Sequence, residues 1–160
     1  MNASSVADAF PSSSERRAWL AVLARVPRAD LEAALDRVLA GTARPSFDWL
    51  RAPEIGLAMV RGRIGGTGDA FNLGEATVTR ATLRLRDGAT VGVACHLGRD
   101  KRRAELAALA DALLQIPERH VRAHAELIEP FGARQAAARA ARERETATTR
   151  VEFFTMVRGD

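Results

Sequence analysis

The sequence predicts an α+β fold with an N-terminal helical hairpin, a four-stranded, mainly antiparallel sheet, covering helices, and an extended C-terminal helix and tail. Two observations predict this fold. Apolar residues recur at helical spacing before residue 41 and again after residue 99, whereas between residues 46 and 98 their period changes towards two. The length of 160 residues suits one domain, so residues 14–160 are expected to form a single α+β domain.

The N-terminal part is predicted to contain a disordered lead and two helices. Residues 1–13 are small and polar around Pro11 and a serine run, which is typical of disorder. Ser14 is expected to cap a first helix, SERRAWLAVLARV, which ends at Pro27. A second helix, RADLEAALDRVLAG, follows at once and ends at Gly41, so the two helices are expected to form a hairpin.

Four strands are expected in the middle of the chain. They are FDWLRAP (47–53), IGLAMVRGRI (55–64), GEATVTRATLRLR (74–86) and TVGVACHLG (90–98), with a turn at residues 86–88 between the last two. In the third strand, alternation places Arg80 on the face opposite that of Leu83. An Arg on a sheet face contacts solvent, an acid or another chain, and Arg80 is therefore a candidate for a partner contact, although solvent is favoured on the residues alone.

Helical spacing returns after the sheet. RDKRRAELAALADALLQI (99–116) is expected to cover the sheet and to end at Pro117. A further helix over about 118–128 leads to a run of Ala, Arg and Glu at 132–148, which has strong helix propensity but few large apolar residues. Such a helix gains little from the core of the domain, and we expect it to extend away from the globule.

The last residues, VEFFTMVRGD, are concentrated in apolar and aromatic side chains. Two alternatives follow: an edge strand folded back on the chain's own sheet, or an anchor on a partner protein. In the second case the segment from about 130 to 160 is a partner-binding extension. Its interface candidates are Phe153, Phe154, Met156 and Arg158.

Composition limits the classes of function. A net charge of +4 favours anionic partners, although the acids are interspersed among the basic residues. No apolar run reaches the length of about 18 residues that a membrane span needs, and the N-terminus lacks a basic segment followed by an apolar one, so a cytoplasmic protein is expected. Cys95 is the only cysteine, which excludes an intrachain disulfide and a cysteine-based zinc site.

Two segments are candidates for binding an oxyanion. The first is the glycine-rich loop, where backbone amides and a Thr hydroxyl can donate to phosphate oxygens; its candidates are Arg63, Gly65, Gly66, Thr67 and Gly68. The second is GRDK, with Arg99 and Lys101. Each has a structural alternative: a tight β-connection for the loop, and for GRDK a first helical turn that contains Asp100 between ordinary surface charges.

No complete catalytic or metal site is predicted, and the catalytic residues stay unknown. Cys95 and His96 are neighbours on a strand, so their side chains point to opposite faces and cannot pair; Cys95 is expected to be a small core residue. His120 and His124 are spaced by one helical turn and could in principle share a metal, but without a clear third ligand a solvated helical face is favoured.

Three blocks together resemble the PhnG family, the G subunit of the bacterial carbon-phosphorus lyase system. They are EIGLAMVRGRIGGTGDAFNLGEATVTRATLRL (54–85), GRDKRRAELAALADAL (98–113) and RVEFFTMVRGD (150–160). The resemblance implies a non-autonomous subunit of a multi-subunit complex that displaces adenine from MgATP by a phosphonate, which gives a ribose 1-phosphonate 5-triphosphate. It also implies hetero-oligomeric partners, with MgATP as a substrate of the complex rather than a cofactor of this chain.

Two other functions remain as hypotheses. A basic nucleic-acid-binding module would use the sheet and the Arg-rich helix, but the chain has no Tyr and its aromatic residues are not arranged for base stacking. A stand-alone nucleotide hydrolase would need an acid–base constellation, for which Glu54, Asp69 and Glu75 are only loose candidates.

Overall fold

The computed structural model describes residues 11–148 of the chain. Five helices and three strands follow one another as α1 (Ser13–Leu23), α2 (Arg28–Leu39), β1 (Phe47–Arg63), β2 (Ala70–Leu85), β3 (Val91–Leu97), α3 (Lys101–Leu114), α4 (Pro117–Ala123) and α5 (Glu129–Thr148). A short 3₁₀ turn over Ile64–Gly66 joins β1 to β2, and one π-helical turn over His124–Ile128 joins α4 to α5. The α+β class is confirmed.

The first helix begins earlier than expected because Ser12, not Ser14, is its N-cap. Ser12 Oγ accepts a hydrogen bond from the backbone N–H of Glu15, and the Glu15 carboxylate accepts one from the backbone N–H of Ser12. This reciprocal pair satisfies two backbone donors that the first turn would leave free. The predicted lead at 1–13 therefore overlaps the start of the helix, and its residues 1–10 lie outside the described part.

The predicted packing of α1 against α2 as a helical hairpin is not confirmed. Helices α1 and α2 make most of their helix contacts with α3 and with the helices that follow it, and few with each other. The reason lies in α3, whose buried residues are nearly continuous around the helix from Leu106 to Leu114. An almost wholly apolar helix offers a better surface for the apolar stripes of α1 and α2 than either offers to the other.

The sheet has three antiparallel strands in the order β1-β2-β3, not the four that were predicted. The segments FDWLRAP and IGLAMVRGRI form one strand, β1. Pro53 does not end it, because β1 is an edge strand and its pairing with β2 shifts register between Arg51 and Glu54. The predicted turn at residues 86–88 is confirmed, and next to it Leu85 N–H donates to the carbonyl of Thr90 over 3.0 Å.

The strands have unequal lengths, which creates a projection. Strand β3 pairs with β2 only from Val78 to Arg84, whereas β1 and β2 pair as far as Arg63 and Ala70. Residues 57–77 therefore extend past the end of β3 as a two-stranded hairpin, which together with Ile55 and Gly56 at its base we call the ribbon (55–77). Within the described residues the ribbon has no third strand.

The core lies between the sheet and α3. One cluster of buried apolar residues is formed by α1, α2, β2, β3, α3 and residues 123–131, and Phe47 of β1 packs against it while partly buried. Strand β3 lies very close to α3 at Gly92, where an added Cβ would overlap the carbonyl oxygen of Ala108. Only a glycine permits this approach.

Helix α5 leaves the core after its first turns. Helix α5 starts at Glu129, so Pro130 lies in its first turn, where a missing N–H is tolerated. Phe131 is its one buried residue, and residues 136–148 are exposed, which confirms the expected extension away from the globule. The candidates in the tail, Phe153, Phe154, Met156 and Arg158, lie outside the described residues. No helix within residues 11–148 is long and apolar enough to span a membrane.

Candidate functional site

The glycine-rich loop lies at the tip of the ribbon and forms a tight β-connection. The backbone N–H groups of Thr67 and Gly68 both donate to the carbonyl of Ile64, and Gly65 adopts a left-handed conformation with φ of 60°. Arg63 Nη1 donates to the carbonyl of Gly68 over 2.9 Å and so closes the turn from outside. Two of the amides considered for anion binding are therefore engaged within the loop.

The GRDK segment lies at the base of the ribbon, where β3 ends and α3 begins. Asp100 is the N-cap of α3, and its carboxylate accepts a hydrogen bond from the backbone N–H of Arg103 over 2.9 Å. The side chains of Arg99 and Lys101 are exposed and form no ion pair among residues 11–148. This arrangement matches the structural alternative considered for GRDK, with two free cations beside a helix N-terminus.

The structure does not bring the two groups of candidates together. Gly98 donates to the carbonyl of Thr77, so GRDK lies beside Thr77. The strand from Thr77 to Ala70 then spans about 20 Å at roughly 3.3 Å per residue. Gly65, Gly66, Thr67 and Gly68 lie beyond that. A single phosphate cannot contact both groups within one copy of the chain.

A buried polar pair lies near GRDK. His96 is 4% exposed, and neither of its ring nitrogens has a hydrogen-bond partner among the described residues. Burial lowers the pKa of His96, as does the neighbouring positive charge of Arg103, while Asp100 opposes the shift. Burial also lowers the pKa of Arg103, whose Nη2 donates to the carbonyl of Ala24 and whose Nε is unpartnered within the described chain.

Alternation on β3 separates His96 from its neighbour Cys95. His96 faces the helices, whereas Cys95 is exposed on the other side, so the prediction that the two cannot pair is confirmed. The prediction that Cys95 is a core residue is wrong, because the even-numbered residues of β3 face α3. A cavity of about 160 Å³ lies at this edge, between α1, β3 and α3, and is lined by His96 and mostly by apolar side chains.

The histidine pair on the C-terminal helices is not part of a metal centre within the described residues. The rings of His120 and His124 stack with their centroids 5.8 Å apart. His120 Nδ1 lies 2.7 Å from the carbonyl of Leu114, and His124 Nδ1 lies 3.3 Å from the carboxylate of Glu129. Within residues 11–148 no three His, Cys, Asp or Glu side chains are arranged to hold a metal ion.

Arg80 lies on the sheet face opposite the helices and is paired. Its guanidinium donates to the Glu54 carboxylate over 3.2 Å, and Arg51 donates to the same oxygen over 3.1 Å. Arg80 is 45% exposed as a side chain, so it is accessible to another chain as well as to solvent. Glu54, a loose candidate for acid–base chemistry, is accordingly held by two arginines.

The sequence analysis missed the polar centre that fixes α1 on the sheet. Asp111 is fully buried and accepts hydrogen bonds from the side chains of Arg16 and Trp19 and from the backbone N–H of Val93. The available signal was an acid inside the apolar repeat LAALADALL of α3. An acid there must find donors, since an unpaired buried charge is strongly unfavourable.

Comparison with known proteins agrees with the resemblance. The family model described as "Phosphonate metabolism protein PhnG" matches residues 14–159. A protein of Rhizobium meliloti (strain 1021), named alpha-D-ribose 1-methylphosphonate 5-triphosphate synthase subunit PhnG, is 49% identical over 146 residues, which cover 91% of this chain and 90% of that protein. The residues that the family model matches include the ribbon, the GRDK segment and nearly all of the tail. The chain belongs to the PhnG family of phosphonate metabolism proteins.

Proposed function

We propose that this chain is a non-autonomous subunit of an α-D-ribose 1-methylphosphonate 5-triphosphate synthase. The observation that carries the proposal is the 49% identity, over nine-tenths of both chains, to a protein named as a subunit of that synthase. The complex would displace adenine from MgATP by a phosphonate. In this proposal MgATP is a substrate of the whole complex, and the partners are the other core subunits of the carbon-phosphorus lyase system.

The described geometry supports a dependent role. The titratable groups between residues 11 and 148 are dispersed: Glu54 is engaged by two arginines, His96 is buried beside Arg103, and Asp111 is used to hold α1. Phosphoryl-containing substrates are stabilised by converging cations and metal ions. In our proposal the other subunits supply most of these groups.

Arg99 and Lys101 are our first choice for a contact with substrate. They are exposed and unpaired in the described part, and the N-terminus of α3 beside them favours an anion. We also propose that Arg63, Gly65, Gly66, Thr67 and Gly68 contact ligand at the ribbon tip. Because the two groups lie about 20 Å or more apart, they have to be tested separately.

The test is adenine release from ATP and methylphosphonate by the reconstituted subunits, with and without this chain. We expect release only when this chain is present, and none from this chain alone. In the assembled complex Lys101→Ala should lower the rate at least about tenfold, since a lost charge-assisted contact costs roughly 1.5–3 kcal/mol. Equal rates with and without the chain would refute the proposal.

A truncation after Arg150 tests the tail as an assembly element, with the mass of the complex as the readout. We propose that Phe153, Phe154, Met156 and Arg158 contact another subunit, so the shortened chain should fail to enter the complex. Full incorporation of the shortened chain would assign the tail to a role within its own chain.

A further inference from the structure

The ribbon carries an unusual amount of exposed apolar surface. Seven of its large apolar side chains are between 40% and 77% exposed, and they are Ile55, Leu57, Met59, Val60, Ile64, Phe71 and Leu73. Together they expose on the order of 700 Å², which is close to the roughly 800 Å² that one partner contributes to a typical stable interface. These side chains lie on both faces of the ribbon and at its tip, so burying all of them requires a partner that surrounds the ribbon rather than one flat contact.

Part of this surface continues the layer that forms the core. Residues directly opposite on antiparallel strands share a face, and Leu57 lies opposite Thr77. Thr77 is on the same face of β2 as Ala81 and Leu83, which are buried under the helices. The stripe of Ile55, Leu57 and Met59 is thus the uncovered extension of the apolar face that α3 covers farther along.

The backbone of the ribbon is open as well. β1 is an edge strand over its 17 residues, and no described strand pairs with its outer edge. A long edge with exposed apolar side chains is a site of association unless another element covers it. Leu57, Met59 and Leu73 are all more than half exposed, so no described element covers these side chains.

The charges indicate what kind of surface would fit. Residues 55–77 contain two cations and two acids, which are Arg61, Arg63, Asp69 and Glu75. The net charge of the ribbon is therefore zero, and the one charged residue directly opposite the stripe is Glu75, which lies across from Met59. Recognition would come from burial of apolar area rather than from long-range electrostatic attraction.

We propose that the ribbon is a docking arm, and that its occupant is a predominantly apolar, uncharged surface on another subunit of the synthase. The inference rests on the proposed function, which supplies the class of partner. It adds the place of contact: the face of Ile55, Leu57 and Met59 together with the apolar side chains around the tip. The partner completes the layer that α3 begins.

The test is assembly of the co-expressed synthase subunits with ribbon variants of the full-length chain. The double substitution Leu57→Glu/Met59→Glu should weaken incorporation at least about 30-fold, because two apolar side chains would be replaced by charges in a dry contact. Val121→Glu is the matched control: Val121 is 78% exposed on α4, outside the ribbon, and incorporation should stay unchanged.

Folding of the variants is checked separately. Leu57 and Met59 are more than half exposed, so threonine at both positions should leave the melting temperature of the isolated chain unchanged, whereas Met59→Glu faces Glu75 across the strands and should lower it slightly. The second variant Leu57→Thr/Met59→Thr keeps β-propensity and should still weaken assembly. In the unmodified complex, amide hydrogen exchange in residues 55–77 should be slower than in the isolated chain, and unchanged exchange there would contradict docking.

The outcomes separate this inference from the proposed function. If the unmodified chain assembles and the ribbon variants assemble equally well, the docking arm is refuted while the subunit role stands. If the unmodified chain does not assemble, the subunit role fails and the inference fails with it. If light scattering shows a homodimer of the isolated chain that the same variants break, a second copy covers the ribbon and the proposed occupant is wrong.

Discussion

Replacing Asp111 by Asn should strongly destabilise the fold, because this side chain joins α1, β3 and α3. Its carboxylate accepts from Arg16 Nη2 at 2.7 Å, from Trp19 Nε1 at 2.8 Å and from the backbone N–H of Val93 at 2.8 Å. The side chain is fully buried. An amide at this position keeps the shape but turns one acceptor into a donor that faces other donors, and it removes the countercharge of Arg16.

The expected loss follows from these contacts. Breaking a buried ion pair by removing one partner costs about 3–5 kcal/mol, because the remaining charge and donors are left unpaired. For a domain of this size, such a loss lowers the melting temperature by roughly 10 °C. Urea unfolding should be followed by circular dichroism and by the fluorescence of Trp19, which is 2% exposed and bonded to Asp111.

The control is Asp36→Asn, which removes an exposed ion pair. Asp36 lies 3.1 Å from Arg44 and its side chain is 66% exposed, so its loss should cost no more than about 1 kcal/mol. If Asp111→Asn were no more destabilising than Asp36→Asn, the buried network would not hold α1 on the sheet. A double-mutant cycle with Arg16→Met should give a coupling energy of at least about 1 kcal/mol.

Two further predictions concern the packing of β3. Gly92→Ala should destabilise the chain by about 2–4 kcal/mol in urea unfolding, because the added Cβ would overlap the carbonyl oxygen of Ala108. The control is Gly88→Ala, which has open space around it and should change the free energy of unfolding by less than about 1 kcal/mol. Equal effects would show that β3 does not lie this close to α3. Burial lowers the pKa of His96 in the folded state. As the pH falls below about 6.5, the ordinary pKa of a histidine in an unfolded chain, the unfolded chain therefore binds more protons than the folded chain. The free energy of unfolding should therefore be highest above pH 6.5 and should decrease as the pH falls towards the lowered pKa; His96→Leu should remove this part of the pH dependence, and an unchanged slope would contradict it.

If the ribbon docks as proposed, the domain has two ends with different tasks. The helical end forms the core and holds β3 through Asp111 and Gly92, whereas the other end presents β1 and β2 to a partner. A hairpin that projects from a well-packed core can insert into a neighbour without unfolding its own domain. This division explains why exposed apolar residues and a stable fold are compatible in one short chain.

Local patterns were sufficient for the elements whose residues determine their own structure. The helical spacing of α3, the turn at 86–88 and the Ala- and Arg-rich α5 all appear where the sequence predicted them. The alternation that separates Cys95 from His96 was also correct, since side-chain direction on a strand depends only on neighbouring residues. The family, too, was readable from three blocks of the sequence, and the family model that matches residues 14–159 confirms it.

Long-range packing decided the features that the sequence did not predict. Pro53 is compatible with a strand only because β1 lies at an edge, and its edge position depends on which strands pair. Helices α1 and α2 pack mainly on α3 and the helices after it, because α3 offers both of them a more apolar surface. The two candidate ligand groups are separated because β3 is shorter than β1 and β2. Each of these outcomes depends on how distant segments compete for burial. The local sequence of one segment therefore does not predict it.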